Sequence, residues 1–325
     1  MPVDPEILRR NPKSSLLSLL RPAPRPEKRR RDADAAAERT WQRAGLEIPD
    51  VHVEGRRIPV EGFPDVDVRV HRPHHSTSLL PVFVTFFGGA FRQGSNDYAV
   101  NRWMHATRCR EADIVVIAVD YALAPEHRHP TQVEQGLAVL DWLREHGPEV
   151  GADPDRIAVG GQSSGANIAA AVAQSNLDRE VHPLLLQLLE VPALDLTGGH
   201  ADRRVLRELH IPQFLLRLDR RSITRDYLPP GTSAADPRVS PLLREDLRGL
   251  PAAVILASQY DPLRGDAAAY HARLREVDVP SSTVISLGLA HDSSALVGSL
   301  AAADFWQGAV IAALRELHTA VPRGN

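Results

Sequence analysis

Arg156-Ile157-Ala158-Val159-Gly160-Gly161-Gln162-Ser163-Ser164-Gly165, followed by Ala166 to Ala173, is the stretch whose reading decides the fold. Arg156 to Gly160 predicts a buried strand, the small residues from Ala166 predict a helix, and Gly161-Gln162-Ser163-Ser164-Gly165 has the form of a nucleophile elbow between them. A chain that reverses this sharply leaves no room for side chains two places either side of the serine. Ser163 is then presented at the tip of the turn.

A serine hydroxyl needs a base to take its proton, and the base needs an acid to orient it and stabilise its cation. Two later segments supply candidates in the order expected after such an elbow, acid first and histidine last. Ala252 to Ala257 reads as a strand, and Asp261 lies just past its tip in Ser258-Gln259-Tyr260-Asp261-Pro262-Leu263. Thr283 to Leu287 reads as the next strand, and His291 follows through a turn at Gly288. Asp266 is a competing carboxylate, read as a first-turn residue of the following helix that meets the helix dipole. His74 and His75 fall in a polar loop, His127 and His129 in a turn near proline and His271 within a helix. No histidine has a Cys or carboxylate partner at metal-ligand spacing.

An oxyanion hole is the third requirement. Pro81 to Phe86 reads as a strand, and Phe87-Gly88-Gly89-Ala90-Phe91 follows it. Glycines let backbone approach a bound carbonyl closely. The donors expected are the amides of Gly89, Ala90 and Ser164, with Gly88 shaping the loop. By itself the loop reads better as a plain glycine turn; the serine, acid and histidine are what favour an oxyanion hole.

With these landmarks in place the chain resembles the hormone-sensitive-lipase-like family of α/β-hydrolases, the bacterial carboxylesterases. The resemblance rests on the loop at Phe87 to Phe91, on Asp120-Tyr121-Ala122-Leu123-Ala124-Pro125-Glu126-His127, on the serine elbow, on Asp261-Pro262-Leu263-Arg264 and on Gly288 to His291. It runs in family order from about residue 80 to the C-terminus. It implies a serine carboxylesterase acting on short- to medium-chain esters, with a triad of Ser163, Asp261 and His291, no metal or organic cofactor, and Tyr121 to His127 as bracing. The chain departs from the family where Phe87-Gly88-Gly89-Ala90 replaces His-Gly-Gly-Gly, where Gln162 and Ser164 replace an acidic residue and an alanine, and where Asp292 follows the histidine. Ala90 keeps its amide as a donor provided the backbone there does not require a positive φ.

Alternation of strands and helices from Val51 onward predicts an α/β fold with a mostly parallel sheet flanked by helices. Pro130 opens a helix with Val133, Leu137, Leu140 and Leu143 on one face. The pattern breaks over 195–240 into a polar turn, a short apolar helix at Ile211 to Leu216 and a Pro-Gly loop. The expected division is an N-terminal helical cap segment at 1–50, a catalytic domain at 51–194 and 241–325, and a second cap segment at 195–240. Phe214, Leu215 and Leu216 could line an acyl pocket or pack within the cap.

At 325 residues the chain can bury roughly three-quarters of its unfolded surface. A formal net charge of −3 makes no case for nucleic acid, and the basic run Arg25 to Arg31 reads as a solvated surface. One cysteine, Cys109, cannot form an internal disulfide and fits a reducing, cytoplasmic setting. Met1 to Leu20 lacks a signal-type apolar core, being broken by Arg9, Arg10, Pro12 and Lys13. The partner expected is a small ester, with no membrane insertion and a homodimer left open. A non-hydrolytic binder on the same fold and an amidase or lactonase with the same triad stay as alternatives. A dinucleotide-binding oxidoreductase would need an early Gly-x-Gly-x-x-Gly, which this mid-chain run is not.

Overall fold

The computed structural model describes residues 24–320 except 75 and 77, and at 292 the backbone only. Helix α1 (Pro26–Ala44) opens with proline at its first position and closes on Gly45 at φ 64°. Eight strands follow: β1 (His52–Ile58), β2 (Val66–Arg72), β3 (Leu80–Phe86), β4 (Val115–Asp120), β5 (Ala152–Gln162), β6 (Leu184–Glu190), β7 (Ala252–Tyr260) and β8 (Ser281–Ala290). They form one sheet in the order β1-β2-β4-β3-β5-β6-β7-β8. β2 runs antiparallel to both neighbours, and all pairings from β4 through β8 are parallel.

Parallel strands need crossovers, and helices supply them. They are α2 (Ala99–Ala112), α3 (Thr131–His146), α4 (Ser164–Arg179), α5 (Arg203–Glu208), α6 (Gln213–Tyr227) and α7 (Arg264–Glu276), and a last helix, α8 (Ala301–Arg315), follows β8. The period of two in the strands divides the core between the two faces. Val82, Val84 and Phe86 of β3 join Val133, Leu137, Leu140 and Leu143 of α3 and Ile168 of α4 on one side. Phe83 joins Met104 and Cys109 of α2 and Trp306, Val310 and Leu314 of α8 on the other. The α/β reading and the face of the helix after Pro130 are as the pattern predicts.

Three local expectations differ from the structure. The helix read over Ile211 to Leu216 begins instead at Gln213 and runs to Tyr227. Its polar half is held by ion pairs across the fold: Asp226 takes Arg29 at 3.4 Å and Arg92 at 3.2 Å. Those same contacts, with Arg30 on Glu126 at 2.5 Å, make part of the basic run a set of fixed partners rather than a solvated surface. Gly288 is no turn after a strand: β8 continues through it to Ala290, with Gly288 at φ 80° inside a register shift against β7. Two extra residues on β8 there, between the Ser258–Ser286 and Tyr260–Ala290 pairs, re-aim the strand end, and His291 comes next.

Among the described residues, no helix is long and apolar enough to cross a membrane.

Candidate active site

Parallel strands place their C-terminal ends, and the loops leaving them, along one edge of the sheet. β5, β7 and β8 lead there to Ser163, Asp261 and His291. Gly161 and Gly165 are dictated by β3 next door: a Cβ on Gly161 would lie 2.3 Å from the Phe86 carbonyl oxygen, and one on Gly165 2.1 Å from the same atom. The turn therefore sits directly against β3, with Phe86 in register with Gly161. Ser163 takes φ 53° and ψ −114°, a backbone state costly for a non-glycine residue. Its amide donates to the Glu190 carbonyl at 2.8 Å, which ties the strained residue to the end of β6.

The three predicted side chains meet. Ser163 Oγ lies 2.9 Å from His291 Nε2, and His291 Nδ1 lies 2.7 Å from Asp261 Oδ2. Asp261 Oδ1 accepts the Leu263 amide at 2.9 Å. The Asp261 side chain is 2% exposed and that of His291 30%, so the acid is sealed in while the histidine reaches solvent. This arrangement can deprotonate the serine and hold the resulting imidazolium.

The loop after β3 closes over the serine. A Cβ on Gly88 would meet the Gln162 carbonyl at 3.1 Å and the Ser163 Cβ at 3.5 Å. Gly89 lies at φ 140°, Ala90 at 53° and Phe91 at 63°. The backbone does require a positive φ at Ala90, contrary to the condition set from sequence, and alanine adopts it at about 1–2 kcal/mol. Phe91 helps to hold that conformation, its ring stacked on Tyr227 with centroids 3.8 Å apart. The amides of Gly89, Ala90 and Ser164 have no acceptor among the described residues. They are unspent donors in the loop after β3 and at the start of α4.

Phe87 stands where a polar anchor was expected and is anchored differently. Its ring stacks on Tyr121 at 4.2 Å and 18°, and its carbonyl accepts the Tyr121 hydroxyl at 2.9 Å. The stretch after β4 thus braces the loop, as the sequence suggested. Gln162 meets Met104 Sδ at 3.6 Å rather than any charged group.

Other groups were missed. Glu190, at the end of a strand that is apolar but for Gln187, is fully buried and takes Arg108 at 2.9 Å and Trp306 Nε1 at 2.6 Å. A lone carboxylate closing an apolar run was the signal. Asp266 is in the first turn of α7, as read, but it is also fully buried, and its Oδ2 accepts the amides of Leu194 and Asp195, both at 2.9 Å. Burial first, then the charges of Asp195 and Asp261, pushes its carboxyl up to about 8. His129, read as a turn residue, is buried against Tyr227. His71 and His105 form a buried pair with ring centroids 5.6 Å apart. Phe214 is 52% exposed and Leu215 buried, while Leu216 lines a cavity of about 230 Å³ beside α5.

Comparison with known proteins agrees with this geometry. Residues 83–294 match a family described as alpha/beta hydrolase fold. The chain is 34% identical over 234 residues to the carboxylesterase NlhH of Mycobacterium tuberculosis, covering 69% of each chain. It is 34% identical over 277 residues to the esterase LipI of the same organism, covering 79% of this chain and 78% of LipI. Among solved structures it resembles a hyperthermophilic esterase from the archaeon Pyrobaculum calidifontis, with a TM-score of 0.85 and 27% identity over 98% of this chain and 100% of that one.

Proposed function

Since the chain belongs to the hormone-sensitive-lipase-like family of α/β-hydrolases, we propose that it is a serine carboxylesterase in which Ser163, His291 and Asp261 carry the reaction through an acyl-enzyme. The observation that supports these roles best is the unbroken run from Ser163 Oγ to His291 at 2.9 Å and on to Asp261 at 2.7 Å. Ser163 attacks the ester carbonyl as His291 takes its proton, and Asp261 holds the imidazolium in place. Negative charge on the carbonyl oxygen is met by the amides of Gly89, Ala90 and Ser164, with Gly88 shaping the loop. His291 returns the proton to the departing alcohol. Water then repeats the sequence on the acyl-enzyme and frees Ser163.

Residues 1–50 and 195–240 act in this reading as a cap over the catalytic domain formed by 51–194 and 241–325. The Asp226 pairs with Arg29 and Arg92 support it, because they join described parts of both cap segments to the loop after β3. A homodimer built along β8 is part of the same proposal. β8 is an edge strand with Val284, Ile285 and Leu287 exposed, the kind of edge that pairs with a second chain. A cytoplasmic setting is supported by the single cysteine, Cys109, which is buried with its thiol pushed up to about 12.

Treatment with a fluorophosphonate followed by peptide mapping tests the assignment. A stable adduct on Ser163 in wild type, absent from His291→Ala, is the expected result. A folded protein that takes no label would make it a binder rather than a hydrolase.

A further inference from the structure

The cavity of about 230 Å³ that Leu216 lines lies between α5, α6 and the loop that follows β6, with Thr197, Gly198, Gly199, Arg203, Arg217 and Arg220 among its walls. Helical spacing gathers the charge. Gln213, Leu216, Arg217 and Arg220 recur every three or four residues along α6 and so share one face, and Arg203 and Leu206 do the same on α5. No carboxylate lines the cavity. None of the three guanidinium groups makes a hydrogen bond or ion pair among the described residues.

The acid that acts on Arg220 is Asp195, through its charge alone. Its carboxylate is already taken up by the amide and hydroxyl of Thr197 and by the amide and Nδ1 of His200. Arg220 is nevertheless drawn into the wall and partly buried. Gly198, at φ 70°, makes room for it: a Cβ there would lie 1.8 Å from Arg220 Nη1. Cations gathered in one concavity without paired anions repel one another and cost desolvation, unless a ligand supplies the negative charge.

We propose that this cavity is an oxyanion-binding site that takes a carboxylate or phosphate group between Arg203, Arg217 and Arg220. A guanidinium presents a planar fork of donors matched to the paired oxygens of such groups. The site adjoins the loop that carries Asp261. Asp202 donates its amide to the Pro262 carbonyl at 2.7 Å, and Arg264 donates to the Asp202 carboxylate at 2.8 Å. The anion is either an acidic group on the ester substrate or a free anion that binds beside the catalytic loop.

Calorimetric titration with inorganic phosphate, against sodium chloride at matched ionic strength, tests the site in wild type, Arg220→Gln and Arg217→Gln. Arg217 is exposed, so its variant guards against a folding artefact in the other. Saturable phosphate binding in wild type is expected, weakened about tenfold in each variant, as loss of one charge-assisted contact would do. Equal affinity in all three proteins, or heat no greater than that from chloride, overturns the site. Kinetics then identify the source of the anion. If it belongs to the substrate, phosphate competes with the p-nitrophenyl monoester of glutaric acid and leaves p-nitrophenyl butyrate unaffected; if it is free, phosphate alters both alike. A wild type that binds phosphate but hydrolyses neither ester contradicts the esterase assignment and leaves this site standing.

Discussion

Tyr121 holds Phe87 twice, with its hydroxyl on the Phe87 carbonyl at 2.9 Å and its ring stacked on the phenyl ring at 4.2 Å. One buried side chain thereby fixes the position of the loop that carries Gly88, Gly89 and Ala90. Tyr121→Phe keeps the stack and removes the hydrogen bond, leaving a carbonyl unpaired at about 1–3 kcal/mol. We expect a lower unfolding midpoint and a kcat reduced about tenfold, with KM nearly unchanged because the donors serve the transition state. A variant with wild-type kcat would show that the loop is held without this bond.

Ala90 occupies φ 53°, a conformation that glycine enters without penalty. Relief of about 1–2 kcal/mol, less about 0.5–1 kcal/mol of extra unfolded-state freedom for glycine, makes Ala90→Gly stabilising by up to about 1.5 kcal/mol. Its amide remains, so turnover should stay within a few-fold of wild type. Chemical denaturation measures the first and steady-state kinetics the second. A destabilised variant would mean that alanine is unstrained at this position.

Stability should pass through a maximum near pH 6.5. Burial pushes His71 and His129 down to about 4 and carries His105 well below its ordinary value. The unfolded chain therefore binds these protons first, and stability is lost as pH falls from about 6.5 toward 4, by up to about 1.4 kcal/mol per unit for each histidine. Asp266 acts in the opposite sense. Its folded form keeps a proton up to about 8, so the unfolded chain holds fewer protons and stability falls as pH rises toward that value. Between about 4 and 6.5 the histidines outnumber the acid; above 6.5 Asp266 acts alone. Thermal unfolding across pH should show both limbs, and Asp266→Asn should remove the alkaline one and steepen the acid one, where the carboxyl no longer opposes the histidines. A wild-type profile without an alkaline decline would contradict the buried, protonated Asp266.

Acyl preference should peak at short to medium chains. Among the described residues of 24–50 and 195–240, Phe214 and Leu218 are the exposed large apolar side chains, too small a patch for docking on a lipid interface. The specificity constant should gain about 0.8 kcal/mol per buried methylene over the first carbons and then drop as the pocket overfills. Activity that kept climbing to long chains, and jumped when the substrate emulsified, would mark a lipase.

The triad was legible because Asp261 and His291 come directly after strands whose apolar runs are plain in the sequence, and because glycines at 161 and 165 flag the elbow between them. What escaped notice depends on contacts between distant segments. The acids and arginines of α6 look like loop residues until Arg29 and Arg92 arrive at Asp226 from 197 and 134 residues away. Asp266 reads as a helix-start acid until the chain after β6 brings two amides onto it. Phe87 looks like a lost anchor, and only the packing of Tyr121 against it shows how the loop is held. Gly288 signals a turn as strongly as it signals a bulge, since both use the same positive φ.

The most direct measurement is kcat/KM for p-nitrophenyl butyrate in Ser163→Ala, with circular dichroism and the thermal midpoint used to establish that the variant is folded. Nucleophile and base act as a unit, so the account predicts a loss on the order of 10⁴- to 10⁶-fold in a protein as well folded as wild type. Turnover within tenfold of wild type in folded Ser163→Ala would contradict it.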